Sequence, residues 1–242
     1  MRPKDTTGMI NTIIRNSLDN PEDYIIGFAD LNGLIKDSAY PYGIVIGKRL
    51  DNNIIDSIIN GPTLEYLNYY KSVNNQLSAI IHDIGNKIAD NGFACKIVEP
   101  SNDASDTEDK DYELTLRTPV SHKMIGTRAG LGWICKTDLF ISKRFGPRLR
   151  LVSLLTDYPL EVSELPINKS RCGTCSECVD HCPAKAATGT LWDIYTDRDL
   201  FFNAHKCRDT CRELTKSRLH LDSSTCGICI SVCPIGKTKH GR

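Results

Sequence analysis

Cysteine carries the chemistry of this chain. Nine of its eleven cysteines stand in the last third of 242 residues. One run reads Cys172-x2-Cys175-x2-Cys178-x3-Cys182-Pro183. A second reads Cys226-x2-Cys229-x3-Cys233-Pro234, with Cys207 and Cys211 ahead of it. A 4Fe-4S cubane needs four thiolates around one small volume. A Cys-x2-Cys-x2-Cys turn supplies three, and the Cys-Pro that follows carries its sulfur to the neighbouring cluster. The expected ligation of two clusters is therefore crossed. Cys172, Cys175 and Cys178 hold the first together with Cys233. Cys226, Cys229 and Cys182 hold the second, completed by Cys207 or Cys211. Those two stand one turn apart on a predicted helix over 200–214, so either can reach the cluster. We take Cys207 as the ligand and Cys211 as the spare.

Zinc and disulfides are the alternatives. Structural zinc prefers two separated Cys or Cys/His pairs, which three cysteines at successive x2 spacing fit poorly. His181 and His205 lack a second His at the usual spacing. A disulfide framework suits a small secreted chain, whereas the start Met1-Arg2-Pro3-Lys4-Asp5 has no apolar signal core.

Composition sets the remaining bounds. Hydrophobic residues make up 40% and charged residues 25%, ordinary for a globular protein. Thirty basic and thirty acidic residues cancel, so no overall basic footprint for nucleic acid is present. No apolar run approaches the ~20 residues that span a bilayer. No membrane association is expected, and the reduced cytoplasm is the expected location for thiolate-bound clusters.

The elements that must position the cysteines read as α/β. Apolar runs at 24–31 and 42–47, bounded by Pro and Gly, predict buried strands. Tyr66, Tyr70, Val73, Leu77, Ile80, Ile84 and Ile88 recur at helical steps and predict one long helix over 63–91. Gly92 ends it, and a strand is expected over 93–98, with Cys95 in the core. The polar, acidic stretch 101–111 predicts a surface loop. A glycine block, Thr127-Arg128-Ala129-Gly130-Leu131-Gly132-Trp133-Ile134-Cys135-Lys136, precedes strands expected at 139–142 and 149–156. Cys135 and Trp133 are expected to be packing residues. A linker over 159–171 leads into the cysteine runs, and no helical repeat is expected after them. Domains are expected at 1–165 and 166–242.

Segment 122–160, with CGTCSECVDHCPAKA and CGICISVCP after it, resembles the epoxyqueuosine reductases and, more distantly, the cobalamin-dependent reductive dehalogenases. The likeness rests on a RAGLGWIGK-like segment, an LTD-x-PL strand end and the paired cluster motifs in the same order. It implies a nitroreductase-like α/β N-terminal domain that binds base-off cobalamin, followed by a ferredoxin-like module with two 4Fe-4S clusters. Carried over by position, Arg128, Gly130, Gly132 and Lys136 lie near the corrinoid. Where those enzymes have an acidic proton donor, this chain has Leu116-Arg117-Thr118-Pro119. The expected proton donors are therefore His122, Tyr69 or Tyr70. The second Gly of the WIGK piece is Cys135 here.

The resulting expectation is an iron-sulfur oxidoreductase whose two clusters deliver electrons to an α/β active site, with cobalamin as a further cofactor. Its electron donor is of the ferredoxin or flavodoxin kind, its target a small-molecule substrate or redox partner. With the helical repeats of those enzymes not seen, tRNA is not expected as a partner. The alternative is a ferredoxin-like electron-transfer protein that docks a partner and has no substrate of its own.

Overall fold

The computed structural model describes residues 6–36, 39–101 and 111–237. Most of the expected acidic loop, 102–110, lies outside them. Helix α1 (Thr6–Ser17) leads into strands β1 (Tyr24–Asp30) and β2 (Tyr42–Arg49). The short α2 (Asn52–Ser57) and long α3 (Leu64–Asp90) follow, then β3 (Cys95–Val98), α4 (Tyr112–Thr115) and α5 (His122–Arg128). A two-stranded hairpin, β4 (Gly132–Ile134) with β5 (Phe140–Ser142), precedes β6 (Leu149–Thr156). The main sheet runs β1-β2-β6-β3, with every neighbouring pair antiparallel.

Alternation along the two central strands explains the layers. Ile44 and Ile46 of β2, with Val152 and Leu154 of β6, face the α1/α3 side and meet Leu77, Ile81 and Ile84. Val45 and Leu155 point the other way, onto Ile125 and Ala129 of the α5 region. Helices therefore cover both faces, so β2 reads as an unbroken apolar run instead of an alternating one. The stripe predicted for α3 is its buried face, and Thr63 caps the helix by accepting from the Tyr66 N–H at 3.1 Å.

The cysteine-rich part has little regular structure: α6 (Glu177–Asp180), α7 (Arg198–Phe201), α8 (Ala204–Leu219) and α9 (Ile228–Val232). The helix predicted over 200–214 is in fact two pieces. Phe202 is extended, and the Asn203 side chain accepts from Lys206 N at 2.9 Å, so a new helix begins there. It ends at His220 in the left-handed region. Arg148, 1% exposed, ties the two parts together. It donates to the Asn52 side chain and to Asp56 at the α2 end, and to the Ser231 carbonyl of α9.

Candidate metal centres

Local hydrogen bonds shape each cysteine run. The Cys175 N–H donates to the Cys172 carbonyl at 3.2 Å, and the Cys182 N–H to Val179 at 3.2 Å, so the chain coils around one point before and after α6. In the second run Gly227 starts α9, with the Ile230 and Ser231 N–H groups donating to its carbonyl. Helices α6 and α9 pack against each other, which brings the runs together across about fifty residues of sequence.

Two groups of sulfurs result. Cys233 feels the charges of Cys172 and Cys175, and burial pushes its thiol up to about 11. Cys229, deeply buried and raised for that reason, feels Cys207, Cys226 and Cys182. Cys182 is thus among the neighbours of Cys229, and Cys172 and Cys175 among those of Cys233, with Cys135 acting on both. Among the described residues no three Cys, His, Asp or Glu side chains converge closely enough to hold a single metal ion.

Cys207 and Cys211, on successive turns of α8, have sulfurs 4.0 Å apart. Interaction with Cys211 lowers the thiol of Cys207 and holds that of Cys226 at about 7, while the same contacts raise Cys211. Cys175 is exposed, whereas Cys182 and Cys211 are buried.

The glycine block brackets the first run. Gly130 has φ +69°, and a Cβ there would lie 2.7 Å from the Leu165 carbonyl oxygen; one on Gly132 would lie 2.1 Å from that of Ile141. Both glycines permit close backbone packing. Arg128 donates to the Ile167 carbonyl and to the Asn168 side chain. Lys136 is buried and donates through Nζ to the Cys175 carbonyl at 2.8 Å. The Trp133 indole N–H donates to Cys172 Sγ at 3.4 Å.

The three expected proton donors stand apart from one another. His122 Nε2 lies 3.0 Å from the Glu99 carbonyl, which only accepts, so Nδ1 accepts from the Ser153 hydroxyl at 2.9 Å. Burial lowers its pKa to about 4. Tyr69 accepts from the Asp51 N–H, and burial raises its phenol. Tyr70 donates to the Ser101 carbonyl and accepts from Arg150, whose guanidinium also lies 4.0 Å from its ring centroid.

Spacing alone did not find a cavity of about 370 Å³ beside the second group. Arg117, Ile134, Asp138, Trp192, Tyr195 and Phe201 are among its lining residues. Ile134, Trp192 and Phe201 also pack with Cys182 and Cys207 in one apolar cluster. Asp138 bonds Lys123 at 2.5 Å, and it is one of the few non-glycine residues with positive φ, at 60°. Arg117 pairs with Asp197 at 2.6 Å and Asp199 at 3.0 Å, clamping its segment to the start of α7. The signal for this wall was the run Asp193 to Asp199, legible as polar but not as convergent with Asp138.

Residues 171–236 match the 4Fe-4S double cluster binding domain family. The chain is 30% identical over 116 residues to an epoxyqueuosine reductase of Leadbetterella byssophila, covering 48% of this chain and 37% of that protein. It is 41% identical over 71 residues to one of Pseudomonas aeruginosa, 29% of this chain and 19% of that protein. The chain thus spans well under half the length of these curated relatives. Among solved structures, a catabolic reductive dehalogenase in complex with 3-bromo-4-hydroxybenzoic acid superposes with a TM-score of 0.65 at 15% identity, covering 88% of this chain and 30% of that one. An epoxyqueuosine reductase with an epoxyqueuosine-modified tRNA stem loop gives 0.56 at 15% identity, with coverages of 97% and 66%. The fold is shared with both.

Proposed function

We propose that this chain is an iron-sulfur reductase in which two 4Fe-4S clusters carry electrons to a substrate cavity at the edge of the α/β layer. One observation carries the reading: the cavity lined by Arg117, Asp138, Trp192 and Tyr195 shares its apolar wall with Cys182 and Cys207. The proposed ligands are Cys172, Cys175, Cys178 and Cys233 for the first cluster, and Cys182, Cys207, Cys226 and Cys229 for the second. Exposure of Cys175 makes the first the entry point for electrons from a ferredoxin- or flavodoxin-like donor. The second then faces the substrate. We read 1–165 as a nitroreductase-like domain and 166–242 as the ferredoxin-like module. An antiparallel sheet covered by helices on both faces supports the first assignment.

Cobalamin is the proposed second cofactor, and when bound it would supply a strongly reducing cobalt centre. Arg128, Gly130, Gly132 and Lys136 are proposed to act on its site only by holding the backbone. Their own groups are taken up by Ile167, Asn168, the Cys175 carbonyl and close packing, and Ile134 and Asp138 of the same stretch reach the cavity wall. At about 370 Å³ the cavity is of small-ligand size. Of the expected proton donors, His122 is held neutral and spends its N–H on a carbonyl. We therefore add Asp138, with Lys123 orienting it, as a carboxylate of the cavity wall; Asp197, which also lines it, is held by Arg117. Tyr69 and Tyr70 remain proposed donors on the α3 side. The relative solved with a tRNA stem loop argues against setting tRNA aside, so a modified nucleoside within tRNA joins the small-molecule substrates to be tried.

The second reading, an electron carrier that only docks a partner, is favoured by one observation: Arg117 occupies the segment where the resembled enzymes place a carboxylate. An anaerobic titration of the cluster-loaded chain with cob(II)alamin, followed by EPR, separates the two. A base-off spectrum at stoichiometric binding supports the reductase. Free base-on cobalamin beside cluster signals alone supports the carrier.

A further inference from the structure

The glycine block ends in a turn that puts Trp133, Cys135 and Lys136 beside the first cysteine run, while Ile134 between them packs on the cavity side. Trp133 and Cys135, 7% and 3% exposed, share one apolar cluster with Ile141 and Ile167, against which Cys172 and Cys233 pack. Trp133 Nε1 points at Cys172 Sγ from 3.4 Å. Lys136 holds the Cys175 carbonyl at 2.8 Å. Cys135 Sγ lies 3.2 Å from the Thr137 hydroxyl, and the Thr137 N–H donates to it at 3.4 Å. Trp133 thus places a donor on a sulfur of the first run, and Lys136 one on its backbone.

We propose that the Trp133 indole, donating to Cys172, raises the reduction potential of the first cluster. The physical cause is charge. Reduction adds an electron to a cluster that is already anionic, and hydrogen bonds to its thiolates stabilise the reduced form more than the oxidised one. Burial strengthens the effect, because little water competes for the sulfurs. A raised first potential would place the entry cluster within reach of a mild donor. The inference rests on the cluster ligation proposed above and deepens it.

EPR-monitored redox titration of the full, anaerobically reconstituted chain tests this, using Trp133→Phe, which keeps an aromatic ring and removes the indole N–H. Iron content of the unaltered chain reports separately whether two clusters are present at all. The expected result is that Trp133→Phe shifts one cluster to lower potential, while the other stays in place and iron content is unchanged. Equal shifts in both clusters, or no shift at unchanged iron content, would overturn the proposal.

Discussion

At the level of single residues, the chain offers more sulfur than two clusters need. Contact with Cys207 and Cys226 raises the Cys211 thiol; with Cys207 as the proposed ligand, Cys207→Ala should lose about half the iron while Cys211→Ala retains it, as measured by iron analysis after reconstitution. The motif spacing leaves this choice open, because i and i+4 on α8 are equivalent in sequence; only the contact with Cys226 separates them. His122 gives a second prediction. Its folded pKa of about 4 lies below the ordinary 6.5, so between those values the unfolded chain binds more protons. Stability should therefore fall as pH drops from about 6.5 to about 4, by at most about 3 kcal/mol from this residue. Urea melts of the wild type and His122→Asn across that window should show a flatter slope for the variant.

At the level of elements, the long periodic segment and the buried strands were legible. Tyr66 to Ile88 gives one stripe and α3, and β6 (Leu149–Thr156) has the predicted limits. The short helices were not. α5, with seven residues, is held by Ser121 as its cap and by Ile125 packed under the sheet, and too little sequence is present for a period to emerge. The break at Phe202 and Asn203 was missed for a different reason: residues on either side favour helix, and the tertiary bridge of Ala187 to Phe202 overrides them. Packing decides the energetics here. Leu154, fully buried on the central strand against α3, should cost roughly 2–5 kcal/mol as Leu154→Ala. Leu165→Ala, at a side chain 80% exposed, should stay within about 0.5 kcal/mol. Denaturant midpoints at constant slope check both.

Over the whole molecule, the two parts draw stability from different sources. The α/β layer has a continuous apolar core under the sheet, whereas α6, α7 and α9 are four or five residues long and the cysteine-rich part has only a small cluster of its own. Metal binding supplies folding energy where a core is scarce. Removal of iron by a chelator should therefore loosen 171–236 first, seen as fast amide exchange there, while α3 and β6 stay protected. The proposed ligand set comes from cysteine spacing, since coordination constrains sequence directly. The cavity was not legible there, because Arg117 is brought to its wall by the clamp on Asp197 and Asp199, far away in sequence.

The central claim is that two cubanes sit in one electron path. Iron and acid-labile sulfide determination on the anaerobically reconstituted chain, with EPR of the dithionite-reduced sample, tests it most directly. Roughly eight iron and eight sulfide per chain, with the broadened spectrum of two interacting reduced 4Fe-4S clusters, is the predicted result. About four iron per chain, or zinc in place of iron without labile sulfide, would contradict it.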